Sequence, residues 1–161
     1  MPDLALPRQL HSIGQRAIAE ATGRRASSVG AEHVLLAIAA DPDAPTAQAL
    51  AASGLDYSGL ADALTIERAR SLAAADIQPI DPALLVSAPR AVRPGWAASV
   101  RDLLRTADKP AARAAARAGV AGALEVELTI GILRAELGTV PRMLAIAGVD
   151  RRAIIERLRA S

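Results

Sequence analysis

Apolar side chains recur along this chain in short blocks at helical spacing, and glycine and proline separate the blocks. Leu10, Ile13, Ala17 and Ala21 form one stripe and predict a helix over 8–22. The polar and glycine-bearing run "TGRRASSVG" breaks it. Val34, Leu35, Leu36 and Ile38 predict a second, strongly apolar helix over 31–40. "DPDAP" then makes a turn, because Pro42 and Pro45 both oppose helix continuation. A short helix over 46–53 follows, with Gly54 placed as its C-terminal cap. Asp56 is placed as the N-cap of a fourth helix, whose inner face is expected to carry Leu60, Leu64 and Ile66. From 76 to 95 the pattern changes: prolines at 79, 82, 89 and 94 predict an extended connector. Helical spacing resumes at Trp96 with Val100, Leu103 and Leu104. Pro110 interrupts it, and an Ala/Arg stretch continues to Gly119.

The chain also repeats itself. Shifted by 94 residues, "AIAADPDAPTAQALAASGLD" lies over "GILRAELGTVPRMLAIAGVD" without a gap. Ile38 falls on Ile132, Leu50 on Leu144, Gly54 on Gly148 and Asp56 on Asp150. Leu36 over Ile130, Leu60 over Ile154 and Leu64 over Leu158 keep apolar type. The Gly-apolar-Asp triplet weighs most here, because Ala and Leu matches arise readily in a chain this rich in them. The repeated unit is helix, turn, short helix, glycine cap, Asp N-cap, helix. One copy buries little by itself, so two copies are expected to close on a shared core. The expected fold class is all-α: two pseudo-symmetric four-helix repeats, about 8–70 and 96–160, joined by an extended Pro-rich connector at about 71–95. Together they make one domain over 1–161.

Composition narrows the chemistry. The 161 residues are 52% hydrophobic, with no Phe and with Trp96 and Tyr57 as the only large aromatics, so the core must be aliphatic. Net charge is only +2, and all basic residues except Lys109 are Arg. No basic block stands out to recommend nucleic acid as a partner. Without cysteine there is no disulfide, thiol nucleophile or zinc-thiolate site. No apolar run reaches membrane-spanning length, and "MPDLALPRQL" does not read as a signal peptide, so a cytoplasmic protein without a membrane partner is expected.

Glu32 and His33 stand side by side at the start of the second helix. As catalysts they lack company. His11 is the only other histidine, and it falls on another helix. Ser27 and Ser28 lie in no G-x-S-x-G elbow. A glycine-rich phosphate loop is missing, since the one lysine precedes Pro110. No enzyme activity, catalytic residue, metal or cofactor is therefore expected. The structural reading has Glu32 favouring the helix dipole and His33 bonding a loop carbonyl or the other repeat. Arg24 and Arg25, just upstream, could hold an anion, while Arg113 and Arg117 read as a solvated helix face.

The run "GAEHVLLAI", followed by "ADPDAPTAQALAASGL", resembles the repeat at the N-terminus of Clp unfoldases, especially the ClpC type. The second copy, "LEVELTIGI" with "LRAELGTVPRMLAIAGV", is a degenerate version. The resemblance spans nearly the whole chain and implies a free-standing Clp N-domain without ATPase modules. It implies a non-enzymatic, chaperone-related peptide- or protein-binding module of bacterial protein quality control. The module would be an adaptor, competitor or decoy in proteolysis, with Clp unfoldase or protease components or their substrates as partners. Among those partners the resemblance includes phosphoarginine-marked proteins, with the motif glutamate facing the guanidinium. It places a ligand site at Glu32, and His33, Ser27, Ser28, Arg24 and Arg25 nearby, with Glu125 in the second copy, complete the candidate ligand-binding residues. In the second copy Val126 takes the motif position between Glu125 and Glu127, so any charged-ligand site is expected to be asymmetric. The Ala/Arg-rich composition suggests high-GC, actinobacterial coding, where sequestration of cyclic-peptide antibiotics that target ClpC is an alternative. A DNA-binding regulator is the alternative of another class, although no recognition helix with clustered Arg, Asn or Gln is present.

Overall fold

A computed structural model describes residues 8–77, 93–107 and 122–160, with Pro110, Ala114, Arg117 and Gly119 between the last two segments. The bulk of the proline-rich connector, and Arg113 with most of the Ala/Arg stretch, lie outside the described residues. Eight helices run through the described part. They are α1 (Arg8–Gly23), α2 (Ala31–Ala39), α3 (Pro45–Ala51), α4 (Tyr57–Ala74), α5 (Ala98–Ala107), α6 (Ala123–Leu133), α7 (Thr139–Ala147) and α8 (Arg151–Ala160). No helix among the described residues is long and apolar enough to cross a membrane.

α2 and α6 are the central helices. Every residue from His33 to Ala39 is buried, as expected of a helix that is apolar all round. α1, α3 and α4 pack on α2, and α5 and α8 pack on α6, while α2 and α6 touch each other. Leu35, Leu36, Ile38, Leu50, Leu128, Ile132, Met143 and Leu144 are among the largest fully buried side chains. The stripe Leu10, Ile13, Ala17 and Ala21 is buried as its spacing predicts, and its alanines let α1 lie close to α2. Leu36 and Ile130, aligned by the 94-residue shift, are both buried.

The helix ends follow capping chemistry. Gly54 and Gly148 both take a left-handed conformation, with φ of 80° and 69°. Each closes its helix in the same way: Gly54 N–H donates to Ala51 and Leu55 N–H to Leu50, while Gly148 N–H donates to Ala145 and Val149 N–H to Leu144. The Asp56 carboxylate accepts from Gly59 N–H at 2.8 Å, and the Asp150 carboxylate accepts from Arg152 N–H at 2.9 Å.

Three features differ from the sequence expectation. First, the described fold is not purely helical. Ser28–Val29 (β1) and Gly95–Trp96 (β2) form a two-residue parallel pair, with Ser28 opposite Gly95 and Val29 opposite Trp96. A ladder this short leaves no alternating pattern to read. It ties the entry of α2 to the entry of α5, and Ala97 N–H adds a bond to Val29 at 3.1 Å. Second, α4 runs to Ala74, past the expected start of the connector at 71. Third, Ile66 is 44% exposed and Glu67 takes the inner position instead, 5% exposed. On a 3.6-residue period, 60, 63, 64 and 67 share one face and 66 falls off it.

Candidate functional site

The turn between α1 and α2 decides which of its side chains can meet. α1 ends with Arg25 in the left-handed region at φ 53°. Arg25 N–H donates to Thr22 at 3.0 Å and Ala26 N–H to Ala21 at 2.9 Å, the double bond of a Schellman cap. This reversal leaves Arg24 on the inner side of the turn and sends Arg25 into solvent. β1 then carries the chain to Gly30, the extended N-cap residue of α2.

Gly30 has no side chain with which to cap the helix, and His33 takes over that work. Its Nδ1 accepts the Gly30 N–H at 3.0 Å, the reach-back half of a capping box. The expected bond to a loop carbonyl or the other repeat is therefore replaced by a bond within the same helix start. The glutamate beside it folds the same way: a Cβ at residue 30 would overlap the Glu32 carboxylate. Glu32 Oε1 lies 3.4 Å from His33 Nδ1. Because Nδ1 is already an acceptor, that approach is not a hydrogen bond, and it becomes an ion pair only if the ring is protonated. Burial holds the His33 imidazole below the ordinary histidine range, against the pull of Glu32, and the Arg24 and Arg68 cations add to the lowering. The ring is neutral at physiological pH, with its proton on Nε2.

These residues open onto a cavity of about 360 Å³. Arg24, Ala26, Glu32 and His33 form one wall. α4 contributes Leu64, Thr65, Glu67, Arg68 and Leu72 to the lining, and Thr139 joins them from the start of α7. Leu64 and Leu72 make part of the lining apolar, and Arg24, Glu32, Glu67 and Arg68 bring charge to it. Arg68 donates to the Arg24 carbonyl at 3.1 Å, and Arg24 Nε reaches Glu20 at 3.4 Å, with Tyr57 hydroxyl donating to the other Glu20 oxygen at 2.7 Å. Within that lining, Glu67 accepts from Arg142 Nε at 2.6 Å and from Ser71 hydroxyl at 2.7 Å, joining α4 to α7.

Of the residues singled out from sequence, Glu32, His33 and Arg24 meet here. Ser27 and Arg25 are exposed, and Ser28 is engaged in β1; none of the three lines the cavity. Glu125 sits elsewhere, at the start of α6 near Thr46, Arg16 and Asp41. Its Oε1 is buried without a partner, and burial pushes its carboxyl up from the usual range. The contribution of α4 and Thr139 is non-local, and only the i, i+4, i+7 register of Leu60, Leu64 and Glu67 hinted at it.

A wider depression of about 570 Å³ lies between the α2–α3 turn and the start of α4. Its carboxylates are already engaged, Glu20 by Tyr57 and Asp56 by Gly59. Among the described residues no group of three or more His, Asp or Glu side chains converges as a metal would require. The chain matches no protein-family model and no curated protein sequence.

Proposed function

We propose that this chain is a non-enzymatic binding module built like the ClpC-type N-domain, from two pseudo-symmetric helical repeats of which only the first carries a charged-ligand site. The cavity at the start of α2 is the observation that carries this reading. It brings an acid, Glu32, within one cavity of two guanidinium groups, Arg24 and Arg68, with an apolar wall beside them. A phosphoarginine side chain has the matching character. Its guanidinium pairs with a carboxylate, and its phosphoryl oxygens pair with Arg and the first-turn N–H groups of a helix. The repeat architecture is supported by the equivalent caps at Gly54 and Gly148. It is also supported by a crosswise packing: α4 lies on α7, and α3 lies on α8.

In this reading the module recognises phosphoarginine-marked proteins destined for a ClpC-type unfoldase, and acts as adaptor, competitor or decoy for it. Calorimetric titration of phosphoarginine tests the site. One site is expected in the wild type, lost in Glu32→Ala and little changed in Glu125→Ala. Two equal sites, or none, would overturn it. Adding the chain to unfoldase-driven degradation of a phosphoarginine-marked substrate separates the roles: an adaptor speeds it, a competitor or decoy slows it.

A further inference from the structure

The capping bond at α2 leaves one ring nitrogen unused. A neutral imidazole has one donor and one acceptor nitrogen. Nδ1 is the acceptor, held by Gly30 N–H at 3.0 Å, so Nε2 carries the hydrogen. His33 is only 4% exposed, yet no protein group among the described residues accepts from Nε2. Nor is Nε2 sealed in the interior: among the described residues the buried side-chain polar atom without a partner is Glu125 Oε1. His33 lines the cavity, and with Nδ1 held against Gly30 the edge left for the cavity is the Nε2 edge.

We infer that His33 is a ligand-binding residue as well as a cap: its Nε2–H is a fixed donor that reads an acceptor oxygen of the bound group. This rests on the reading of the cavity as a phosphoarginine site and adds an orientation to it. Arg24, Arg68 and Nε2 of His33 offer donors only; of the two acids in the lining, Glu67 is taken up by Arg142 and Ser71, and Glu32 is left to accept. A phosphoryl group therefore lies toward His33 and the two arginines, and the guanidinium of the same ligand lies toward Glu32. Exchanging the two ends would set donor against donor at His33. The capping bond is what makes the donor permanent, because it fixes both the tautomer and the ring plane.

Two substitutions divide the two roles of the ring. His33→Asn places an amide oxygen near the Nδ1 position and keeps the Gly30 bond, but brings no donor to the Nε2 position. His33→Gln brings an amide N–H toward the Nε2 position and gives up the Gly30 bond. With free phosphoarginine as the probe, His33→Asn is expected to melt near the wild type and to bind about ten- to a hundredfold more weakly, the effect of losing one charge-assisted hydrogen bond. His33→Gln is expected to melt lower and to recover most of the affinity. In the wild type, the Nε2 ¹⁵N–¹H signal of His33 should shift on adding phosphoarginine and stay in place on adding arginine. Undiminished binding by His33→Asn, or an Nε2 signal unmoved by phosphoarginine that does bind, would overturn this inference and leave the cavity reading intact. Absence of binding to the wild type would overturn both.

Discussion

Arg142→Ala removes the cation that holds a buried acid between α4 and α7. Glu67 is 5% exposed, and one of its oxygens accepts both from Arg142 Nε at 2.6 Å and from Ser71 at 2.7 Å. The substitution leaves a buried carboxylate with one neutral donor. Breaking a fully buried pair costs about 3–5 kcal/mol, and a hydrogen bond to a charged group contributes about 1.5–3 kcal/mol. Arg142 is itself 57% exposed along its side chain, so water can replace part of what it supplies. The lower range applies, about 1.5–3 kcal/mol, which for a chain of this size lowers Tm by roughly 3–12 °C. Urea and thermal unfolding followed by circular dichroism measure it. Adding Glu67→Leu to Arg142→Ala should recover most of the loss, because Leu extends the Leu60–Leu64 stripe and removes the stranded charge. A loss below about 0.5 kcal/mol for Arg142→Ala, the level of an ordinary surface change, would show that Glu67 does not depend on this contact.

Leu36→Ala should cost about 2–5 kcal/mol, since Leu36 is fully buried in the central helix, and denaturant titration would read it. Glu125 has a folded-state pKa raised above its ordinary 4.5, so its contribution to stability is full below pH 4.5 and is lost as pH rises through the folded value. Glu125→Gln should therefore be more stable than the wild type at neutral pH, and stability curves across pH should show that advantage shrinking as the pH falls. His33 has the opposite sense of shift. Its folded-state pKa is lowered, so its contribution is full above about pH 6.5 and is lost as pH falls from there toward the folded value. His33→Asn, which titrates in neither state, should flatten the wild type's stability loss just below pH 6.5.

Local chemistry made much of the fold legible. The stripe on α1, the apolar run of α2, and the glycine and aspartate caps at 54, 56, 148 and 150 depend on neighbours within a turn or two, and each is found in place. The structure departs from the sequence pattern where tertiary packing decides. Hydrophobicity predicts Ile66 inside, whereas the helical register gives that place to Glu67, whose charge is met by Arg142 from another helix. The β1–β2 pair joins segments more than sixty residues apart over two residues each, too short to leave a pattern. The site was legible on one wall only. Glu32, His33 and Arg24 are close in sequence, but Arg68, Leu72 and Thr139 arrive by packing. Ser27, Ser28 and Arg25 are just as close in sequence, and the left-handed turn at Arg25 and the strand at Ser28 turn them elsewhere.

Amide chemical-shift mapping during a phosphoarginine titration tests the central claim of a single, asymmetric site most directly. The account predicts saturable shifts at Gly30, Glu32 and His33, along α4 from Thr65 to Ala69, and at Thr139, with the start of α6 around Glu125 and Val126 unmoved. Equal shifts at the starts of α2 and α6, shifts confined to other surfaces, or no saturable shifts at all would contradict it.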